Sequence, residues 1–378
     1  MASTVPIREV VLVGLGHAHL YVARRAASFR RAGLRVTLID DGAFWYSSIG
    51  SGLLGGRYER DDDVIEAEPF ASGLGIDFVR GRALSLDRAT REVLLEGGMR
   101  VPYDLVSLNV GSHVAPPFPV EGPDVHFPKP IAGLLALREQ LRARFAARGT
   151  VRWLTVGGNH SACELTLNAL ALARSEQARL EATLVTDASE LVSGEPAGAR
   201  ERMQRVLRDA GCKLRLETPV ASIADRSATL EGGERIGFDV AMVATGLAAS
   251  PLVKACDLPA DGAKGLRVTP TLHAPGDDRV FAAGDCASIE GHDLPKVGVF
   301  GVRASPVLTH NLVARARSEP LRRFRPQPIW FAAQNLGDGT GLASWGPFWW
   351  QGRSALALKD WNDRRFMRLY KTASENAS

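Results

Sequence analysis

Apolar positions change their period twice within the first forty residues. Residues 9–13, EVVLV, form a short apolar run rich in β-branched side chains, which predicts a buried parallel strand. The run breaks at Gly14-Leu15-Gly16, and over residues 18–31 the apolar positions take a helical spacing with arginines on the opposite face. A second apolar run at 35–39 ends on Asp40. Strand, glycine turn, helix, strand and acid together form a βαβ nucleotide unit. Its turn and helix start offer N–H groups to a pyrophosphate, and its closing acid accepts from ribose hydroxyls. His19 stands where such turns carry a third glycine, which predicts looser packing of helix on strand. His17 and His19 read as helix-start or packing residues, and His17 and Ala18 fall beside the expected pyrophosphate.

The same pattern returns at residues 151–187. An apolar run ends at Gly157-Gly158, an amphipathic helix follows, and a strand at 182–185 leads to Asp187. Asn159 and Ala162 stand where further glycines would be, so a second nucleotide site and a retained scaffold half that binds nothing both stay open. Between and after the two units, strands are expected at 105–110 ending on Gly111-Ser112, at 240–244 ending on Thr245-Gly246, and at 279–289 through Gly284-Asp285. Residues 76–95 read as strand, turn and strand, with a hairpin turn at 96–99. Asp61-Asp62-Asp63 reads as a helix cap. The segment FAAQNLGDGTGLASWG predicts two strands around a glycine turn.

Composition narrows the class. The 378 residues are 45% hydrophobic, enough for two or three domains with real cores, and the net charge is +4. The excess is arginine, dispersed in a way that suits a nucleotide cofactor or an anionic membrane surface and argues against nucleic acid. Cys163, Cys212, Cys256 and Cys286 stand at wide spacings, giving no local redox dithiol and no metal-ligand pattern. The N-terminus lacks the apolar core of a signal peptide, and no apolar run approaches a membrane span. The expected location is cytoplasmic, at most peripheral on the membrane. The C-terminal stretch interleaves Trp345, Phe348, Trp349, Trp350, Trp361 and Phe366 with Arg353, Lys359, Arg364, Arg365 and Arg368. Such a tail suits an anionic lipid interface, with packing over the first unit or a homodimer contact as the alternative.

Four motifs in order, VGLGHAH, LNVGS, VGGNHSACE and VFAAGDCAS, resemble the flavoprotein family of pyridine nucleotide-disulfide oxidoreductases and type II NADH dehydrogenases. GLGHAH, FPKPIAGLL, PKVGVFGVRASPVL and KDWNDRRFMRLY look most like the reductase domain found fused to selenophosphate synthetase. The resemblance implies an α/β fold with two Rossmann-type dinucleotide-binding domains. A discontinuous FAD domain would take residues 1–115 and 265–318, an NAD(P)-binding-like domain residues 116–264, and a C-terminal α+β segment residues 319–378. It also implies site residues. Gly14, Gly16, His17 and Ala18 would hold the FAD pyrophosphate, Asp40 the ribose, Arg82 and Ala83 the adenine, and Gly111 the dinucleotide. Asp285, after Gly284, would accept from the ribityl chain. Gly157, Gly158, Gly246 and Asp187 would serve NADH or NADPH, the acid at Asp187 favouring NADH. Glu164 would lie where nicotinamide and flavin stack, or be a helix-start acid favoured by the dipole. Lys296 would supply a cation at the flavin pyrimidine.

The segment 42–56, where the disulfide reductases carry their cysteine pair, has no cysteine. The function expected is an FAD-dependent oxidoreductase passing electrons from NAD(P)H to a quinone or another small acceptor. Two other readings remain: a flavoprotein acting on a sulfur or selenium species, and a flavin-bearing sensor of low turnover.

Overall fold

The computed structural model describes residues 8–375. Glu9–Val13 is the hinge of a six-stranded sheet in the order His273–Ala274, Asp277–Ala282, Leu105–Leu108, Glu9–Val13, Arg35–Asp40, Asp77–Arg80. All its pairings are parallel except the one between the first two strands. Val10 stands opposite Val36 on one side and Leu105 on the other. Both faces of this strand are covered, which is why its sequence is an unbroken apolar run rather than an alternation.

The second unit repeats the plan. Thr150–Val156 lies between Val240–Val243 and Arg179–Val185, with Lys213–Arg215 and Val125–His126 at the edges of an all-parallel five-stranded sheet. Each unit also carries an antiparallel three-stranded sheet: Ala83–Asp87, Glu92–Leu95 and Arg100–Pro102 in the first, Val220–Ala224, Ser227–Leu230 and Arg235–Gly237 in the second. The match between units extends to strand order, so the fold is α/β with two Rossmann-type sheets.

Two local expectations are corrected. The helix expected over 18–31 is two helices, His17–Ala23 and Ala26–Arg31. They part at Arg24-Arg25, whose guanidinium groups lie over the Tyr370 and Tyr21 rings. The late hairpin gains a third strand: Phe331–Asn335, Gly341–Trp345 and Phe348–Gly352 form one antiparallel sheet. The helix Arg353–Glu375 then returns across the first unit, burying Ala355, Leu356, Lys359, Asp363, Met367 and Tyr370 at helical spacing. No described helix is long and apolar enough to cross a membrane.

The helix Gly298–Ala316 packs against His17–Ala23. Glycine makes this approach close, since a Cβ on Gly298 would stand 2.9 Å from His17 Nε2.

Candidate functional site

The first glycine turn is tied to three strand ends by one side chain. Asn109 Oδ1 accepts from Ala18 N (2.8 Å) and His19 N (3.2 Å), and its Nδ2 donates to Ala283 O (2.6 Å). A Cβ on Gly16 would lie 2.4 Å from Asn109 Oδ1, and Gly14 has φ +83°. Only glycine fits both positions. Asp40 braces the same turn, accepting from Leu15 N (2.7 Å) and Gly42 N (2.8 Å). Burial holds its carboxyl above the usual range. The main-chain N–H groups of Gly16 and His17, at the start of the helix His17–Ala23, have no acceptor among the described hydrogen bonds, the donor set that an anionic pyrophosphate fits.

The packing at His19 is the reverse of the looseness expected. The ring is fully buried between Gly14 O (2.6 Å from Nδ1) and Ser107 Oγ (2.8 Å from Nε2). A carbonyl can only accept, so Nδ1 carries the hydrogen and Nε2 accepts from Ser107. Burial depresses the pKa of His19, and of His17, to about 4, so both rings are neutral.

A polar cluster lies at the end of strand Asp277–Ala282. Asp285 Oδ2 accepts from Ser112 Oγ (2.6 Å) and Lys129 Nζ (3.0 Å), and Lys129 also donates to Ser112 Oγ (2.7 Å). Burial works against the Asp285 charge, but Lys129 and the hydrogen bonds outweigh it and hold the carboxyl below its ordinary range. Gly284 (φ +74°) and Gly111 (φ +68°) flank the cluster. Lys296 does not reach it as a free cation. Its Nζ donates to the main-chain oxygens of Lys264 and Asp285, and partial burial lowers its pKa.

Both units wall one cavity of about 560 Å3, counting the part open to solvent. Ser47 and Ser51 come from the first unit, and Asn159, Glu164 and Thr245 from the second, with Lys129 on the loop that follows the second sheet's edge strand Val125–His126. Glu164 is the joint of the assembly. Its Oε1 accepts from Ser51 Oγ (3.2 Å) and from Asn335 N (2.6 Å) in the C-terminal sheet. Burial pushes its carboxyl up, opposed by the charge of Lys359 and by the Asn335 N–H. In the second turn a Cβ on Gly157 (φ +129°) would stand 2.6 Å from Ala244 O, and one on Gly158 would stand 3.0 Å from Thr186 Oγ1. Asn159 caps the helix His160–Ser175 by accepting from Ala162 N (3.0 Å) and donates to Ala244 O (2.7 Å). Gly246 has φ +44°, and Asp187 is exposed at the end of Arg179–Val185. Arg82, exposed, and Ala83 lie beyond the edge strand Asp77–Arg80, away from the cavity.

The family model described as pyridine nucleotide-disulphide oxidoreductase matches residues 8–315. The chain belongs to that family. Among curated relatives, it is 24% identical to human ferroptosis suppressor protein 1 over 281 residues, 71% of this chain and 72% of that protein. It is 23% identical to the type II NADH:quinone oxidoreductase of Haemophilus influenzae, over 84% of this chain and 83% of the relative. Two solved structures share the fold at TM-score 0.82. One is the Aquifex aeolicus sulfide:quinone oxidoreductase, 17% identical, with 97% of this chain and 92% of that one covered. The other is NDH2 from Plasmodium falciparum in complex with NADH, 12% identical, with coverage of 97% and 98%.

Unlike the disulfide reductases that name the family, this oxidoreductase has no thiol at the cavity. All four cysteines are buried and unpaired, and none lines it. Burial pushes the thiol of Cys286 up to about 11 and those of Cys212 and Cys256 to about 12. Sequence reasoning missed Asn109, Lys129, Asn335 and Asp363, and it grouped Lys359 with a tail suited either to a lipid interface or to packing and dimer contact. Lys359 is buried, with Nζ 2.8 Å from Asp363 Oδ2. The helical spacing of 355, 356, 359, 363 and 367 was the available signal, and the charges at 359 and 363 hid it. Phe366 is likewise turned in, stacked on Tyr46 with ring centres 4.4 Å apart.

Proposed function

We propose that this family member is an FAD-dependent NAD(P)H oxidoreductase that delivers electrons to a quinone-type acceptor. One observation carries the reading: a single cavity is walled by both nucleotide units, with Glu164 bonded to the first unit and to the C-terminal sheet at once. A reduced nicotinamide held by the second unit would then be brought to a flavin held by the first. The names of two relatives, a type II NADH:quinone oxidoreductase and a demethylphylloquinone reductase, point the same way.

The residues fit FAD. Gly14 and Gly16, with the N–H groups of Gly16 and His17, would hold its pyrophosphate beside Ala18, and Asp40 retains free lone pairs for the ribose. Gly111, Gly284 and Asp285 would line the ribityl chain, with Arg82 and Ala83 at the adenine end. Bound there, FAD supplies the two-electron chemistry. The protein's own part is placement and charge. Gly157 and Gly158 let the second dinucleotide approach the backbone, and Gly246 does so on the facing strand end. Glu164, whose carboxyl burial pushes above its ordinary range against the opposing charge of Lys359, stands at the cavity wall within reach of a carboxamide or carbonyl there. Lys129, paired with Asp285 at the cavity wall, would add a second cation beside the one expected of Lys296, whose Nζ is bonded to the Asp285 and Lys264 carbonyls. Asp187 at the strand end disfavours a 2′-phosphate, so NADH is preferred to NADPH.

The exposed aromatic edge supports contact with a membrane surface, where a quinone would be met. Phe348 is 75% exposed, Trp345 61% and Trp361 55%, with Arg353, Arg365 and Arg368 exposed nearby.

The test is an absorption spectrum of the purified protein followed by anaerobic titration. A flavin spectrum bleached by about one equivalent of NADH, with NADPH weaker, and restored by a soluble quinone is the expected result. A bound flavin that neither nucleotide bleaches would overturn the reading.

A further inference from the structure

The C-terminal helix Arg353–Glu375 turns two charged residues inward. Lys359 and Asp363 lie one turn apart, their charged atoms 2.8 Å from each other and their side chains 4% and 3% exposed. Withdrawing two charges from water commonly costs more than their attraction returns, so apolar side chains would hold this helix to the core at least as well. Apolar side chains could not grip a polar stretch of chain, and this pair grips one. Lys359 Nζ donates to Ser48 O (2.6 Å) and to Ser48 Oγ (3.0 Å). Asp363 Oδ1 accepts from Ser48 Oγ (2.9 Å) and from Tyr46 OH (3.2 Å). A hydrogen bond to an ionised partner is about twice as strong as one between neutral groups, which is what the charges contribute here.

The gripped stretch is a wall of the cavity. Tyr46 leads into the short helical turn Ser47–Ile49 and the helix Gly50–Leu54. Ile49, Leu53 and Leu54 are buried in the core, while Ser47, Gly50 and Ser51 line the cavity. Those three side chains are too small to fix a path by packing alone. A Cβ on Gly50 would stand 3.2 Å from Leu134 and 3.3 Å from Ile131, which line the same cavity, so a small displacement of the stretch changes the cavity's width. On its inner side the stretch meets the second unit where Ser51 Oγ donates to Glu164 Oε1 (3.2 Å).

We propose that Lys359 and Asp363 are positioning residues of the reaction. Through Tyr46 and Ser48 they set where Ser47, Gly50 and Ser51 stand, and so the width of the cavity in which nicotinamide and flavin are brought together. This deepens the functional reading above and rests on it. Neither residue lines the cavity. The pair is neutral as a whole, so it holds the main chain without adding net charge behind the site.

Two double variants of the holoenzyme separate placing the wall from fastening the helix. Tyr46→Phe with Ser48→Ala takes both hydroxyls from the stretch and leaves the charged pair to itself. Lys359→Met with Asp363→Leu removes the charges and keeps apolar contact for the helix. In both, hydrogen–deuterium exchange at the main-chain N–H groups of residues 46–51 is expected to speed by about tenfold, the worth of a lost hydrogen bond, with residues 353–375 as slow as in wild type. In anaerobic stopped flow the limiting rate of bleaching by NADH falls by about 100-fold, the scale of a misplacement of roughly 1 Å, while half-saturating NADH changes by less than about threefold. Flavin content holds, and the visible circular dichroism of the bound flavin changes. Wild-type exchange and rate in the hydroxyl variant overturn the proposal, as does faster exchange with an unchanged rate. Faster exchange in both segments together makes the pair a fastening for the helix and overturns it too. If one variant does not fold, the other decides. A wild type that NADH does not bleach overturns the functional reading instead, and exchange at 46–51, which needs no turnover, still decides whether the pair places the wall.

Discussion

Asn109 shows how much of a site can rest on one uncharged side chain. It satisfies two N–H groups at the start of the first helix and one carbonyl 174 residues away. Asn109→Ala leaves those buried groups unpaired, at about 1–3 kcal/mol each. The expected outcome is a loss of several kcal/mol in urea unfolding, with weaker retention of flavin through gel filtration. Nothing in LNVGS marks the asparagine, because its partners are distant in the chain and all are main-chain atoms. Glycines and strand-end acids are easier to read, since their role follows from local backbone geometry. Even so, Asp40 is spent on the turn as well as available to a ribose, and the ring of His19 fills the place of a glycine by bonding Gly14 and Ser107. Lys129 escaped notice for a similar reason: its contacts with Asp285 and Ser112 depend on a loop whose path the sequence does not encode locally.

At the scale of elements, apolar runs ending on glycine were legible, and both Rossmann-type units follow from them. Phe348–Gly352 was not legible as a strand, because its outward side chains are aromatic and the usual alternation is absent. That strand reaches across to the second unit. The Trp349 ring lies where a Cβ on Gly198 would stand 2.8 Å from it, and Gln351 bonds Arg202. Trp345 and Phe348 are left in water at the other end. The double substitution Trp345→Ser with Phe348→Ser is therefore expected to lower co-sedimentation with anionic phosphatidylglycerol vesicles by about tenfold, about 1.4 kcal/mol, less than full burial of two such side chains provides. Flavin content and NADH bleaching should not change. Binding that survives the substitution would place lipid contact elsewhere or nowhere.

For the whole molecule, two neutral histidines, His19 buried and His17 half-buried, set an acid limit. His17 and His19 have folded pKa values of about 4 against 6.5 when unfolded, because burial disfavours the charged ring. The unfolded chain thus binds protons first, and stability present above pH 6.5 is lost as pH falls toward 4, at up to about 1.4 kcal/mol per pH unit for each ring. Melting temperatures across that range should fall, and His17→Phe, which keeps the ring contacts with Phe44, Tyr46 and Phe366, should flatten the slope. An unchanged slope would show that other groups govern it.

The order of strands in the first sheet also bears on how this protein is made. Asp277–Ala282 pairs with Leu105–Leu108, and Asn109 waits for the carbonyl of Ala283. The second sheet draws all of its strands from residues 125–243. During translation it can therefore close while the first sheet still lacks two strands and the helix Gly298–Ala316 that backs the glycine turn. The nascent chain reaches the ribosome's exit with its second sheet assembled and its first still open. If the first unit is the one that takes the flavin, as proposed, its capture is a late event of synthesis.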